Sequence, residues 1–360
     1  MAAFAVTGSA TTLGAFVVRG LGGAPVVVGV SPQAPGVLGG AGCVVSLCIG
    51  AGPLPPAGPV SSGSRPPALL RRPGPRLRAR LGRSEPSDIT ATSERLGDLR
   101  QVLAAAEAGG VRRLVHLSSA VVYGAAADNA VPLSEDAPVR PDPAFGWAVE
   151  LAEAERLVAE WRDRSPGRSA AVLRPALVVG AAESDSLVRA LGGLAGPRVA
   201  GTDRPVQFVH AEDVASAIVT CATAPAPVDG PLNVAAEGWI AEGEAAALAG
   251  AVVPPPRVPA RLVGPARRLL WLVGTGATPP GAEAYVTHPW VVAADRLRAL
   301  GWTPAHTTEE ALVETTECSA LATLPPRRRQ QILLLAATVL AAALVLTPLH
   351  LVKRALHRRR

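Results

Sequence analysis

Apolar and polar residues alternate along this chain in blocks that change period several times. "AAFAVTGSATTLGAFVVRGL" (2–21) reads as a short apolar strand, a glycine-containing turn, and a helix with Leu13, Phe16, Val17 and Leu21 on one face. "APVVVGV" (24–30) follows as an unbroken β-branched run, the pattern of a strand buried on both faces. A helical period returns with Leu96, Leu99, Val102, Leu103 and Ala106, and Gly109-Gly110 ends it. "VRRLVHLSS" (111–119) predicts a strand. "WAVELAEAERLVAEW" (147–161) predicts a helix that buries Ala148, Leu151, Ala152, Leu157 and Val158 and turns its Glu and Arg outward. "AAVLRPALVVG" (170–180) predicts another strand, "VQFVHAEDVASAIVTCA" (206–222) a strand running into a helix, and "PLNVAAEG" (231–238) a further short strand. Strand and helix in alternation predict an α/β fold with a mostly parallel, doubly wound, Rossmann-like sheet.

Two stretches break this rhythm. Residues 34–84 are dominated by Pro, Gly, Arg, Ser and Ala, with no period surviving beyond "CVVSLCIG", and read as a disordered basic insert. A structureless segment of that length inside a compact domain is anomalous. Its length suits the ordinary elements of such a fold while its chemistry does not, as a stretch read in a shifted frame would look. The second stretch, "ILLLAATVLAAALVLTPLHLV" (332–352), runs 21 residues without a charge, about the ~20 that a bilayer-spanning helix needs. Arg327 to Arg329 precede it, and Lys353, Arg354 and Arg358 to Arg360 follow it, so its orientation stays open.

Charge sharpens the division. Residues 1–84 carry a net +8, residues 85–326 a net −10 and residues 327–360 a net +8, which together give the chain's +6. The best-patterned part is thus acidic, and nucleic acid is not an expected partner. Cys43, Cys48, Cys221 and Cys318 form no CxxC pair and have no His at ligand spacing, so idle or buried thiols are expected and no metal. The N-terminus has no basic start, and Gly8, Gly14 and Gly20 break its apolar run, unlike a signal peptide.

The chemistry-bearing residues lie where these elements meet. In "VTGSATTLG" (6–14), Thr7, Gly8, Thr11 and Gly14 sit at a strand–turn–helix junction of the kind that cradles a pyrophosphate, with Thr11 where a third small residue belongs. This turn, "LSSAVVYG" (117–124), "LRPALVVG" (173–180), "VQFVHAEDVASAI" and "PLNVAAEG" occur in an order that resembles the extended short-chain dehydrogenase/reductase family, in its NAD-dependent epimerase/dehydratase branch. The resemblance covers residues 1–30 and 85–315. It implies NAD or NADP as cofactor and hydride chemistry on a sugar-nucleotide, sterol or similar alcohol or ketone.

It also implies a Ser, a Tyr and a Lys as catalytic groups. Ser119 matches the family Ser, with Ser118 beside it, whereas Trp147 and Leu151 occupy the Tyr and Lys positions. The sequence has one Lys, Lys353, and two Tyr, Tyr123 and Tyr285, so no helix carries a Tyr–Lys pair. The active site is therefore expected to be degenerate. Tyr123 is read as packing beside the sheet edge, with substitution for the lost Tyr as the rival role. His116 and His210 are expected to be buried structural residues and Asp213 a helix cap. Arg174 and Pro175 match a family segment that lines the nicotinamide pocket, though a Pro after a strand has a purely structural use too. "GVSPQAP" (29–35) offers neither an acid for the ribose of NAD nor an Arg for the phosphate of NADP.

The expected organisation is an NAD(P)-binding domain over 1–235, a small C-terminal substrate subdomain over 236–320, a basic linker over 321–331, one transmembrane helix over 332–352 and a basic tail over 353–360. Two functions fit it. One is a membrane-anchored oxidoreductase or epimerase with impaired or altered catalysis, using Ser119 with water or substrate groups as proton relay. The other is an inactive nucleotide-binding sensor or scaffold at the membrane, read by a protein partner. In both, the main domain lies in the cytoplasm.

Overall fold

The structure, a computed structural model, describes residues 3–7, 11–22, 26–28, 41–47, 86–181, 185–192, 194, 197–250, 256–272, 278–279 and 281–315. Its centre is a six-stranded sheet of β1 (Ala3–Thr7), β2 (Val26–Val28), β3 (Ala41–Ser46), β4 (Arg113–Leu117), β5 (Ser169–Pro175) and β10 (Gly230–Val234). The spatial order is β10-β5-β4-β3-β1-β2, and every pairing is parallel. Parallel neighbours need crossover helices, and those helices cover the sheet. Accordingly β5 is buried at all seven positions, and β3 at five of six.

Two helix pairs provide that cover. The helices α1 (Thr12–Gly20) and α5 (Ala211–Thr223) pack on each other, as do α2 (Pro86–Ala108) and α3 (Gly146–Asp163). Leu99, Val102, Leu103 and Ala106 form the buried face of α2 that their spacing predicts. On α3, Ala148, Leu151 and Val158 are buried as expected, whereas Ala152 and Leu157 are only half-buried.

Two expectations need correction here. First, the acids of α3 do not all face outward: Glu150 and Glu155 are buried, each against an arginine from another element. Second, residues 41–46, inside the stretch read as an insert without order, form a central strand. β3 lies between β1 and β4, pairing Val44 with Ala5 on one side and Leu114 on the other. The strand follows from "GCVVS", a run short enough to be masked by its Pro- and Gly-rich flanks. A strand outside β2, which the two-halved dinucleotide fold carries at that edge, is absent among the described residues.

Off the main sheet, β6 (Leu177–Val179) pairs with β9 (Phe208–His210), β7 (Arg198–Val199) with β12 (Arg257–Val258), and β8 (Pro205–Val206) with β11 (Ile240–Ala241). The smaller C-terminal part thus draws strands from both sides of residue 236. It also contains the helices α4 (Asp185–Leu191), α6 (Glu242–Leu248), α7 (Ala260–Leu272), α8 (Asp295–Ala299) and α9 (Thr308–Thr315). Among the described residues no helix is long and apolar enough to cross a membrane; residues 332–352 lie outside them.

His116 on β4 is one of the two histidines expected to be structural. It is fully buried, with Nδ1 3.4 Å from Ser46 Oγ and Nε2 without a partner among the described residues. Burial pulls its pKa from 6.5 down to about 4. The unfolded chain takes up a proton below pH 6.5 that the folded chain refuses until about pH 4. Stability from neutral His116 is therefore full above pH 6.5 and declines as pH falls, by on the order of 3 kcal/mol at pH 4. Urea midpoints measured from pH 7.5 to 4.5 should fall more steeply for the wild type than for His116→Gln; parallel curves would contradict this.

Candidate functional site

In a doubly wound sheet, ligands bind outside the carboxyl ends of the strands. At that edge β4 ends in Ser118 and Ser119, and a 3-10 turn (Ala120–Tyr123) follows. Ser118 donates to Glu155 Oε1 at 2.5 Å. Arg174, near the end of β5, reaches the same carboxylate from Nε at 3.0 and 3.2 Å and from Nη2 at 2.6 Å. Its guanidinium also lies 4.8 Å from the centre of the Tyr123 ring. Burial works against the charge on Arg174, and the Glu155 carboxylate more than offsets it, raising its pKa above the ordinary value.

Tyr123 is buried, and its hydroxyl donates to Asn233 Oδ1 at 2.8 Å. Asn233 in turn donates to the carbonyls of Leu133 and Ala293. Burial raises the Tyr123 pKa, with Arg174 opposing. The packing role therefore describes Tyr123. Gly124 closes this turn at φ 72° and ψ 167°, a region that local backbone sterics leave essentially to glycine, and a Cβ there would in addition meet the Arg140 carbonyl.

Ser119 caps the 3-10 turn, its hydroxyl accepting from the Val121 amide at 3.4 Å. The Val121 carbonyl accepts from Tyr285, at 2.8 Å. Tyr285 was no site candidate in the sequence, yet it stands one residue's backbone from Ser119. Burial pushes its pKa up to about 12. An edge-to-face chain of rings runs from Trp290 through Tyr285 and Phe145 to Trp147, with centroids 5.8, 5.2 and 5.9 Å apart. Trp147 is buried with its indole Nε1 unpartnered among the described residues, and Leu151, one helical turn on, is fully buried. Trp147 carries no group that titrates near neutrality and Leu151 no charge.

The sequence candidates of the first turn are divided. Thr7, at the end of β1, accepts from the Leu47 amide at 3.2 Å and so helps fasten β1 to β3. Thr11 caps α1, accepting from the Gly14 amide at 3.0 Å, and Gly14 is buried within the helix. Gly8 lies outside the described residues. Pro175 ends β5 beside Val234. Asp213 is not the cap of α5: His210 is, with Nδ1 accepting from the Glu212 amide at 3.3 Å.

A small pocket, with room for about one water, lies between Ala176, Leu177, Arg204, Gln207 and Trp290. Behind Arg204 sit two further buried arginines, Arg198 and Arg267, and one buried acid, Glu242. Arg204 Nη2 is 3.6 Å from Glu242 Oε1, an ion pair beyond hydrogen-bond reach. Arg198 Nε, Arg204 Nε and Arg267 Nη2 are buried donors without a partner among the described residues. Burial pulls the Arg267 pKa down to about 10, which leaves it charged at neutral pH.

Residues 82–235 match the model of the NAD dependent epimerase/dehydratase family. The order of motifs had implied this branch of the extended short-chain reductases, and the match bears it out. The chain is also 29% identical over 220 residues to an uncharacterized protein of Mycobacterium tuberculosis and to another of Mycobacterium bovis. The aligned part is 60% of this chain and spans 57% of the length of those relatives. Among solved structures, the fold is similar to human epimerase family protein SDR39U1 with NADPH (TM-score 0.60, 17% identity, 87% of this chain and 99% of that one). It is likewise similar to Thermus thermophilus UDP-glucose 4-epimerase in complex with NAD (TM-score 0.56, 19% identity, 88% of this chain and 98% of that one).

The Arg174–Glu155 pair makes a direct prediction. Arg174→Ala strands a buried carboxylate and should cost about 3–5 kcal/mol, whereas replacing both members with Met should cost far less. Urea unfolding of the two variants checks this, and equal losses would contradict it.

Proposed function

We propose that this chain is a nicotinamide-dinucleotide-binding member of the epimerase/dehydratase family in which the ordinary proton transfer is impaired. The observation that carries the reading is the buried pair Trp147 and Leu151, at the positions where the family resemblance puts its Tyr and Lys. The two tyrosine hydroxyls near the site donate to Asn233 and to the Val121 carbonyl and have raised pKa values, so neither is poised as an acid or base at neutral pH.

NAD or NADP would sit at the carboxyl edge of β1, β3 and β4, with its phosphates toward the N-terminus of α1, and would supply the hydride when bound. The fit is partial. Helix α1 is in place, but Thr11 already takes the Gly14 amide that a pyrophosphate could use, so weakened binding is expected. Arg174 and Pro175 would border the nicotinamide, with Arg174 held by Glu155. Ser119 is the remaining family group that can hydrogen-bond a reacting oxygen, with water or substrate hydroxyls relaying the proton.

For the substrate, a sugar-nucleotide is favoured over a sterol. Three buried guanidinium groups, of which Arg204 lines the pocket, outnumber the buried Glu242 carboxylate and the less buried Glu283 that also acts on Arg267, and such an excess of buried positive charge suits an anionic ligand. A second reading, a binding-only sensor or scaffold read by a protein partner, is favoured by the same Trp147 and Leu151. Residues 332–352, uncharged and flanked by basic residues, would anchor the chain in a bilayer. A domain that uses a nicotinamide cofactor would face the cytoplasm, where that cofactor is held.

Restoring the pair tests the reading. Trp147→Tyr with Leu151→Lys should raise NAD(P)H-dependent turnover of UDP-sugars by about 10²-fold or more, the usual contribution of a positioned acid–base group. Ser119→Ala should lower whatever turnover the wild type shows. No gain in the double variant would move the defect from the acid–base pair to the phosphate turn.

A further inference from the structure

His210, Glu212 and His306 form a cluster that the proposed function does not use. His210 and Glu212 stand at the N-terminus of α5, and His306 on the loop between α8 and α9. One potential ligand atom from each lies within 4.8 Å of the others. The two imidazole rings are tilted by 40°, with centroids 4.3 Å apart.

Asp213 fixes the orientation of His306. Its carboxylate is buried and accepts from the Ala305 amide at 2.7 Å, the His306 amide at 3.1 Å and His306 Nδ1 at 2.9 Å. An ionised carboxylate only accepts, so His306 Nδ1 is the donor in that bond and Nε2 is the ring nitrogen left facing outward. Nε2 stands 3.5 Å from Glu314 Oε2, with the exposed Glu212 carboxylate close by. A carboxylate that holds one imidazole nitrogen while the other points at a cation is the usual support of a metal-binding histidine.

We propose that His210, Glu212 and His306 bind one divalent transition-metal ion, with zinc the best match, which clips the loop before α9 onto the N-terminus of α5. Two imidazoles and a carboxylate suit zinc and its neighbours; magnesium and calcium favour all-oxygen sites. Ligands about 2.1 Å from a tetrahedral zinc stand about 3.4 Å apart, so the trio must close somewhat around the ion. Glu212 is exposed and free to swing, and His210 gives up its long capping bond as its proton moves to Nδ1. Glu314 is placed to complete the set. Loop and helix are already joined by Asp213 and by Trp302 Nε1 donating to Ser216 Oγ at 2.8 Å, so the ion would tighten a contact that exists.

The test uses the full-length chain without a polyhistidine tag, stripped by chelator and titrated with Co²⁺ and then Zn²⁺. One Co²⁺ per chain should give visible ligand-field bands without the near-ultraviolet band of thiolate ligation, and Zn²⁺ should displace it and raise Tm. Glu212→Gln, on the surface, should weaken Co²⁺ binding at least about tenfold, and His306→Ala should abolish it. Saturable binding that persists unchanged in both variants, a strong thiolate band, or no saturable binding by the wild type would each overturn the proposal.

Discussion

The carboxyl edge of the sheet depends on one buried ion pair. Taking a guanidinium and a carboxylate out of water costs several kcal/mol per ion, and only close geometry with further hydrogen bonds recovers it. Arg174 and Glu155 meet that condition: the contacts are bidentate, Ser118 adds a third donor, and the Tyr123 ring covers the guanidinium. The pair joins β5 to α3, Ser118 carries it to the end of β4, and Tyr123 carries it to Asn233 on β10. The elements that shape the crevice are thus fixed relative to each other by polar contacts that tolerate little displacement.

The same arrangement bears on chemistry. Helix α3 presents Trp147 and Leu151 to the interior and is anchored one turn further on by Glu155. Aromatic packing from Trp147 to Trp290 occupies the neighbourhood of Ser119, and the hydroxyl of Tyr285 is spent on holding the Ser119 turn through Val121. Binding a dinucleotide and moving a proton are separable tasks, and the proposed function rests on that separation.

Much of this was legible in the sequence, and the failures share a cause. Strands such as 170–175 and the buried face of α2 follow from local periodicity, which needs no knowledge of distant residues. Glu155 and Glu150 could not be placed that way. An acid on an amphipathic helix reads as solvent-facing unless its partner is known, and the partners, Arg174 and Arg95, come from other elements. His210 displaced Asp213 as the cap of α5 because Asp213 is drawn to the 305–306 loop, a contact across the fold. The cluster of His210, Glu212 and His306 was hidden because metal-ligand spacing is sought within short motifs. For β3 the signal was local but brief, and the flanking composition outweighed it.

The most direct measurement is a calorimetric titration of the purified chain with NADH and NADPH, followed by absorbance at the nicotinamide band after addition of UDP-sugars or simple ketones. The account requires saturable binding of at least one nucleotide, with the reduced cofactor consumed far more slowly than ordinary enzymes manage, about 10 s⁻¹. Consumption at that ordinary rate by the unaltered chain would contradict it.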